Sequence, residues 1–546
     1  MKFRYSRHDL GKSQRALERI LEIVPGAISW TIIIGLTVLS FIRPLFVAAV
    51  MVAFVLYWVL RLLYLNLFLV MSYFRLSIEK QTDWMKLIEG LEDLDGLIKS
   101  YSPKKTSKAA LFKKLSNLIR QDQIEHLKQS GKLAPNPDDI FHLVILPVIK
   151  ETRNIIEPSI ASLATGTYPA KRVLVVIALE ERANQKVKDD VYEVQKQYQH
   201  TFMDLFVVEH PGSQPGESRV KGANVTFAAK HAAEYFTQRK ISFDNVIVSC
   251  FDADTIARQD YLACLTYYFL ITPDRTRASY QPIPVYHNNL WQVPSFARII
   301  EIGTSFFQLI ESTNSEKLVT FSSHSMSFKA LVEVGYWPVD MISDDSAIFW
   351  KSFIHYEGQY RVVPIYTTVS MDIASGQGIW STIVNIYRQK RRWAWGVENL
   401  PIVMRAFQKD RNIPLYKKFV FGLRLFDSFI SWATWPFLLI FVSWLPTAVA
   451  GREFATTTVY YIAPRIKGVI FGLSSMGIVV CMVISLMLLP VGLNHRLTRK
   501  IAHVLEWILI PVVILAVSAI PALDAQTRLM FGRYLDFQVT DKRRGR

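Results

Sequence analysis

The stretch Asn245-Val246-Ile247-Val248-Ser249-Cys250-Phe251-Asp252-Ala253-Asp254 decides the fold. Its first half is a short, β-branched apolar run, the pattern of a strand covered on both faces. Its end turns into two carboxylates one residue apart. Residues 141–146 and 172–179 repeat the apolar run, with helical stretches between them. Strands alternating with helices predict a soluble α/β domain over 139–410, built on a mostly parallel sheet. At the carboxyl edge of such a sheet, Asp252 and Asp254 form a hard oxygen site. Mg²⁺ or Mn²⁺ suits it, because these ions take one or two carboxylates plus substrate phosphates. The bland alternative is an Asp pair closing a strand into a turn.

The 546 residues exceed one compact core, so two or three units are expected. Hydrophobic residues make up 51% and mean hydropathy is +0.19, which fits spanning helices around a sizeable water-soluble block. The net charge of +17 suits either a nucleic-acid binder or a membrane protein with Lys and Arg on its cytoplasmic side. The basic residues are spread along the chain without zinc-finger spacing or a recognition helix, so no nucleic-acid partner is expected. Anionic lipid headgroups and phosphorylated substrates suit this charge better. Cys250, Cys264 and Cys481 form no CxxC pair, so neither a disulfide framework nor a zinc site is expected.

Residues 24–42 and 45–73 are apolar, separated by Arg43-Pro44, and read as a two-helix hairpin within 1–75. The apolar region is too long for a cleavable signal peptide. Lys2, Arg4, Arg7, Lys12, Arg15 and Arg19 precede it, and Arg75, Lys80 and Lys86 follow it. Both flanks are therefore expected in the cytoplasm, in a multi-pass protein of the plasma membrane. Residues 76–138 read as an amphipathic helical linker, with Leu87, Leu91 and Leu94, then Leu111, Leu115 and Ile119, at helical spacing. Such stripes lie on a membrane or pack on a neighbouring domain. Residues 411–425, with Lys417, Lys418 and Arg424 among aromatics, suit an interface helix. Three spans follow within 426–523, at 426–446, 468–490 and 501–523, and then a basic tail at 524–546. His495, Arg496, Arg499 and Lys500 support five spans in all; the tail's Arg528, Arg533, Lys542, Arg543, Arg544 and Arg546 pull the other way.

Three further groups can carry chemistry. Ser343-Asp344-Asp345 opens a helical pattern, either as an ordinary N-terminal cap or as a carboxylate base for an acceptor hydroxyl. Gln389, Arg392 and Trp393 share one helix face; Arg binds phosphate oxygens bidentately and an indole stacks on a sugar. Lys221 and Asn224 precede an alanine-rich helix, where Lys221 is either near phosphate or simply solvated.

The order Lys221/Asn224, Asp252/Asp254, Asp344/Asp345, Gln389/Arg392/Trp393, then a hydrophobic helix bundle, resembles the membrane-embedded synthase group of the family 2 glycosyltransferases. That group includes cellulose, chitin, hyaluronan and poly-N-acetylglucosamine synthases. The resemblance implies a Rossmann-like glycosyltransferase type A catalytic domain inserted between transmembrane α-helices. It implies nucleotide and metal roles for Asp252 and Asp254, and a base role for Asp345 with Asp344 in place of the family's Glu. It implies acceptor and diphosphate roles for Gln389, Arg392 and Trp393, and a nucleotide-side role for Lys221 and Asn224. The family's first aspartate is missing; Glu180 or Glu181 stands there. Phe321–Ser325 also departs from the better-known synthases.

The expected activity is inverting transfer from a nucleotide-sugar donor, UDP-linked, to a glycan or lipid acceptor, giving a β-linkage. A processive synthase and a single-addition lipid glycosyltransferase both fit, and an accessory subunit is left open. A transporter fits less well, because Asp427 and Glu506 lie near span ends and offer no charged pathway. A non-catalytic receptor requires a decayed site.

Overall fold

The computed structural model describes residues 3, 5–7, 10–101, 111–131, 134–212, 214–449, 458–490, 497–536 and 544. Lys2, Arg4, His495, Arg496, Lys542, Arg543 and Arg546 of the expected basic flanks lie outside them. The chain forms two compact units. The first holds residues 72–288 and 311–372; the second holds 3–71, 289–310 and 373–546.

The first unit is built on one eight-stranded sheet. Its strands are β1 (Phe141–Val148), β2 (Val173–Glu180), β3 (Asp204–His210), β4 (Val246–Cys250), β5 (Ile256–Ala257), β6 (Ala278–Val285), β7 (Ser325–Ser327) and β8 (Arg361–Ser370). The order is β3-β2-β1-β4-β7-β6-β8-β5. β1 pairs in parallel with β2 and β4, β2 with β3, and β6 with β8. β7 runs antiparallel between β4 and β6, and β5 antiparallel to β8. The sheet is thus mixed and mostly parallel. The apolar runs expected as strands are β1, β2 and β4, and every residue of β2 and β4 is buried. Strand order reverses at β1, which has β2 on one side and β4 on the other, so the carboxyl ends of these strands frame the crevice where α/β sheets bind ligands.

The first linker stripe packs inside this unit, with Leu94 partly buried against the core, whereas Leu115 of the second stripe is exposed. Trp84, Leu87, Ile88 and Leu91 are buried with Tyr267 and Tyr268 in the core cluster of the sheet. Each such side chain contributes about 1.5–3 kcal/mol when fully buried, so this docking outweighs a solvated linker.

Among the described residues four helices are long and apolar enough to cross a membrane: Lys12–Ile42, Pro44–Glu79, Leu415–Val449 and Thr498–Met530, all but residues 72–79 in the second unit. Arg43 separates the first two, where the sequence places the hairpin. The first helix starts at Lys12, well before the apolar run, because Glu18 and Glu22 in its early turns are buried against Arg405 and Arg19. The span expected at 468–490 lies in the helix Thr458–Leu488, of which 475–488 forms a shorter apolar helix. The segment expected as a separate interface helix continues without a break into its span in the helix Leu415–Phe437.

The expected 139–410 domain is divided. Residues 373–410 group with the second unit. Tyr387 and Arg391 both bind Asp524, and Arg405 binds Glu18, so polar contacts draw these helices to the apolar ones.

Candidate functional site

β4 ends at Cys250, and the chain turns at once into Asp252 and Asp254. Phe251 N–H donates to the Ile145 carbonyl of β1, which fixes the exit of the turn. The two aspartates then diverge. Asp252 keeps about a quarter of its side chain exposed, at 25%, whereas Asp254 is fully buried. Asp254 Oδ2 accepts the Asp372 backbone N–H at 2.7 Å. Asp252 Oδ2 accepts from Ser322 Oγ at 2.6 Å.

The helix Lys221–Gln238 begins with Lys221, whose ammonium is held among three carboxylates. Its Nζ lies 3.3 Å from Asp252 Oδ1, 3.4 Å from Asp344 Oδ2, and 2.9 and 3.1 Å from the two oxygens of Asp345. Gly222 makes this approach possible: a methyl there would overlap the Pro338 carbonyl oxygen and touch Asp344 Cβ. Asn224 is buried and donates from Nδ2 to the Ala178 carbonyl of β2 at 2.7 Å, tying this helix to the sheet.

Asp344 and Asp345 form the first turn of the helix Asp344–His355, where negative charge is favoured by the helix dipole. Ser343 holds the N-cap position without a side-chain cap bond. Asp344 is 2% exposed, and burial pushes its carboxyl up to about 7, reinforced by the charges of Asp345 and Asp252 and opposed by Lys221. Lys221 moves upward as well. Burial opposes its ammonium, but Asp252, Asp344 and Asp345 together outweigh that cost. Asp345 stays partly exposed, at 24%, and Thr320 Oγ1 donates to its backbone carbonyl.

The Phe321–Ser325 segment completes the site, and the sequence reading assigned it no side-chain role. β7 pairs with β4, which brings residues 322–324 beside 250–252. Cys250 N–H donates to the His324 carbonyl. Ser323, in the left-handed region at φ 58°, bonds Thr255 Oγ1 and accepts the Asp252 N–H. His324 Nδ1 lies 3.9 Å from Asp345 Oδ1, and burial drives its basicity down, keeping the imidazole neutral. Its buried Nε2 has no hydrogen-bond partner among the described residues.

Glu180 ends β2, buried, with Oε2 at 3.2 Å from Arg182 Nε and 3.8 Å from His210 Nδ1. Glu181 is exposed and accepts the Gly212 N–H at 2.7 Å. Among the described residues no three His, Cys, Asp or Glu side chains converge as a closed metal cage. Asp252 offers an accessible hard-oxygen donor, whereas Asp254 is fully buried with Oδ2 on the Asp372 N–H. A carboxylate such as Asp252 fits an ion that takes the rest of its coordination from a substrate's phosphates.

Gln389, Arg392 and Trp393 belong to the second unit, on the helix Ile379–Ala394. Gln389 is buried, and its Oε1 accepts no hydrogen bond among the described residues. Trp393 is half-buried, with the Lys390 ammonium 3.7 Å from its ring centroid.

Residues 247–515 match the family model described as glycosyl transferase family group 2. The chain is 24% identical over 311 residues to a poly-β-1,6-N-acetyl-D-glucosamine synthase of Staphylococcus aureus, covering 56% of this chain and 65% of that one. It is 23% identical over 294 residues to the synthase of the same name from Staphylococcus epidermidis, covering 52% and 60%. The chain thus spans less than two thirds of the length of these relatives. Among solved structures, the mannosyltransferase PcManGT from Pyrobaculum calidifontis, in complex with GDP-Man and Mn²⁺, aligns at TM-score 0.40 and 15% identity over 77% of this chain and 99% of that one. Staphylococcus aureus TarS 1–349, in complex with UDP-GlcNAc, aligns at TM-score 0.31 and 13% identity over 58% and 93%.

Proposed function

We propose, for a chain whose residues 247–515 belong to glycosyl transferase family group 2, that it is a membrane-embedded polymer synthase. In this reading it moves a sugar from a UDP-linked donor to a growing glycan with inversion, forming a β-glycosidic bond. The observation that carries it is the cluster of Asp252, Asp344 and Asp345 around Lys221, beside the crevice at the carboxyl end of β4.

The chemistry follows from that cluster. Asp345, ion-paired and accessible, takes the proton from an acceptor hydroxyl, a step worth about 10²–10⁴-fold in rate. Lys221 supplies the positive charge nearest Asp252 and Asp345, and a donor diphosphate entering beside it competes for that charge. His324, neutral and buried behind Asp345, adds no net charge to the base. Asp252, backed by the buried Asp254, would hold Mg²⁺ or Mn²⁺, which when bound supplies charge to neutralise a departing diphosphate. Glu180, Asn224 and Glu181 are assigned to the nucleotide side, and Gln389, Arg392 and Trp393 to the acceptor and the leaving diphosphate. The four long apolar helices support a multi-pass protein whose sheet unit is cytoplasmic, where nucleotide-sugars are made.

Because the relatives are poly-β-1,6-N-acetyl-D-glucosamine synthases, UDP-N-acetylglucosamine is the first donor to test. Purified protein is supplied with a panel of nucleotide-sugars and Mg²⁺ or Mn²⁺. Nucleoside diphosphate release is followed, and products are resolved on a gel and weighed. Release with a ladder of products supports the synthase. A single lipid-mobile product replaces it with the single-addition lipid glycosyltransferase, and binding without release leaves a receptor.

A further inference from the structure

The helix Ile379–Ala394, which carries Gln389, Arg392 and Trp393, is held by acids from two other helices of its unit. Lys390 Nζ lies 2.9 Å from Oε2 of the buried Glu301 and donates to Thr304 Oγ1 at 3.1 Å, both on the helix Ser295–Glu311. Asp524 Oδ2, near the end of the last apolar helix, accepts from the Tyr387 hydroxyl at 3.0 Å and from Arg391 at 2.9 Å. Beyond Asp524 that helix ends among polar groups of the N-terminal flank. Arg19 donates to the carbonyls of Leu529 and Met530, so a cation meets the negative end of the helix dipole. The Tyr534 hydroxyl donates to Glu22 Oε1 at 2.9 Å, and its ring centroid lies 4.7 Å from the Arg7 guanidinium. Arg7 is 3.0 Å from Glu398, which also accepts Trp395 Nε1 at 2.9 Å. Arg405 donates to Glu18 and to the Ser6 carbonyl, each at 2.8 Å. Residues 6–7, 18–22, 395–405 and 529–534 thus form one polar cluster within the second unit.

Two physical limits give this cluster meaning. The hydrocarbon core of a bilayer is about 30 Å thick, whereas a hydrogen bond spans about 3 Å. Groups that share hydrogen bonds therefore cannot emerge on opposite faces. Charged side chains are also costly in hydrocarbon, so a cluster holding Arg7, Glu18, Arg19, Glu22 and Arg405 belongs at a hydrated face. Arg19 and Glu22 precede the apolar run at 24–42, at the entry of the first helix. Deeper along that helix, Ser29 donates to Gln526 Oε1 at 2.7 Å and Trp30 Nε1 to Thr527 Oγ1 at 2.9 Å. Moving forward along the first helix is thus moving back along the last one.

We infer that the chain crosses the membrane an even number of times between Lys12 and Phe531, and that the segment after the last apolar helix leaves on the cytoplasmic face, beside the start of the first helix and the end of the motif helix. This rests on the multi-pass reading above. Five crossings would put Tyr534 and Glu22 on opposite faces, although they share a hydrogen bond. An even count also lifts the conflict in the charge pattern. Arg528 and Arg533 then fall on the same side as Arg7, Arg15 and Arg19, in line with the positive-inside tendency.

The test reads sidedness in the full-length chain. Lys12→Cys, Arg43→Cys and Asp536→Cys each place a thiol at an exposed position: at the start of the first helix, between the first two helices, and after the last. A Cys481→Ser background leaves only the buried Cys250 and Cys264. A membrane-impermeant maleimide is added to right-side-out membrane vesicles, then again after permeabilisation. Arg43→Cys is expected to label before permeabilisation, and Lys12→Cys and Asp536→Cys only after it. Labelling of Asp536→Cys from outside, with Lys12→Cys protected, overturns the inference. So does extraction of the chain from the vesicles by carbonate. Outside labelling of Lys12→Cys and Asp536→Cys together, with Arg43→Cys protected, overturns the cytoplasmic assignment while keeping the even count. Failure of the synthase reading is seen separately, as no nucleoside diphosphate release from any nucleotide-sugar, and the labelling pattern stands without it.

Discussion

Lys221, largely buried, and Lys390, fully buried, both face carboxylates, yet their basicities move in opposite directions. Lys221 meets three carboxylates and is driven up; Lys390 meets one, and burial drives it down. The difference is stoichiometry. The Lys390 site, in the helical unit, is balanced at one charge of each sign and closed to solvent. The Lys221 site, in the sheet unit, holds an excess of negative charge, and two of its carboxylates reach solvent at about a quarter exposure, 25% for Asp252 and 24% for Asp345. A balanced, closed pair fixes geometry. An unbalanced, open cluster carries surplus negative charge that reaches solvent, and it is where chemistry is to be sought.

The largest effect that would sharpen this contrast is at Asp345. Asp345→Asn preserves shape and removes the base, so sugar transfer should fall by about 10²–10⁴-fold with donor binding retained. Normal transfer of labelled sugar by membranes bearing this variant would remove Asp345 from the chemistry. The next effect is at Lys221. Lys221→Met leaves Asp252, Asp344 and Asp345 facing one another without a cation. Stability should drop, by less than the roughly 3–5 kcal/mol of breaking a fully buried ion pair because Asp252 and Asp345 reach solvent, and the loss is visible in thermal unfolding. Mg²⁺ should recover part of it, since a divalent ion meets the same charge deficit; no recovery would mean that the cluster cannot accept an ion.

Asp344 provides a pH-dependent test. Its carboxyl is raised from 3.8 to about 7, so its neutral form is the one the fold favours. That contribution is fully present below pH 3.8 and is lost as pH rises through about 7. Asp344→Asn cannot ionise. The difference in unfolding free energy between variant and wild type should therefore move toward the variant between about pH 4 and 7 and level off above that. The linkage ceiling is on the order of 4 kcal/mol. A gap that does not change with pH would show that Asp344 is not held neutral.

Much of the open site is legible in the sequence, because strands announce themselves as apolar runs and the carboxylates follow a strand or open a helix. β1, β2 and β4 are read from such runs. β3 is not, because its apolar run is only the four residues 205–208, bounded by Asp204 and Glu209 and half-exposed at the sheet edge. β7 is three residues, Ser325-Met326-Ser327, too short and too polar to register, yet it brings Ser322 and His324 to the aspartates. The closed pair is illegible for a different reason. Glu301 reads as one acid in an amphipathic helix, and only the packing of two helices brings it to Lys390, 89 positions away. The division of 139–410 has the same origin: the Asp524 contacts of Tyr387 and Arg391 span more than 130 residues.

The smallest effect separates the two regions most finely, because it tests how much an exposed carboxylate depends on one hydroxyl. Ser322 donates to Asp252 Oδ2 at 2.6 Å, and Asp252 is open enough for water to take the hydroxyl's place. A hydrogen bond to a charged group contributes about 1.5–3 kcal/mol when desolvated, and less where water can substitute. Ser322→Ala should therefore weaken donor and metal use only modestly, by about three- to tenfold in apparent KM, with kcat nearly unchanged. Removing Thr304 Oγ1 from buried Lys390 offers no such replacement, so Thr304→Val should cost more stability despite deleting a neutral hydroxyl at a longer distance of 3.1 Å. Thermal unfolding of both variants, side by side, decides it. If Ser322→Ala proves the more destabilising, then Asp252 is locked rather than open, and the contrast between an incomplete site and a finished one fails where it is most exposed.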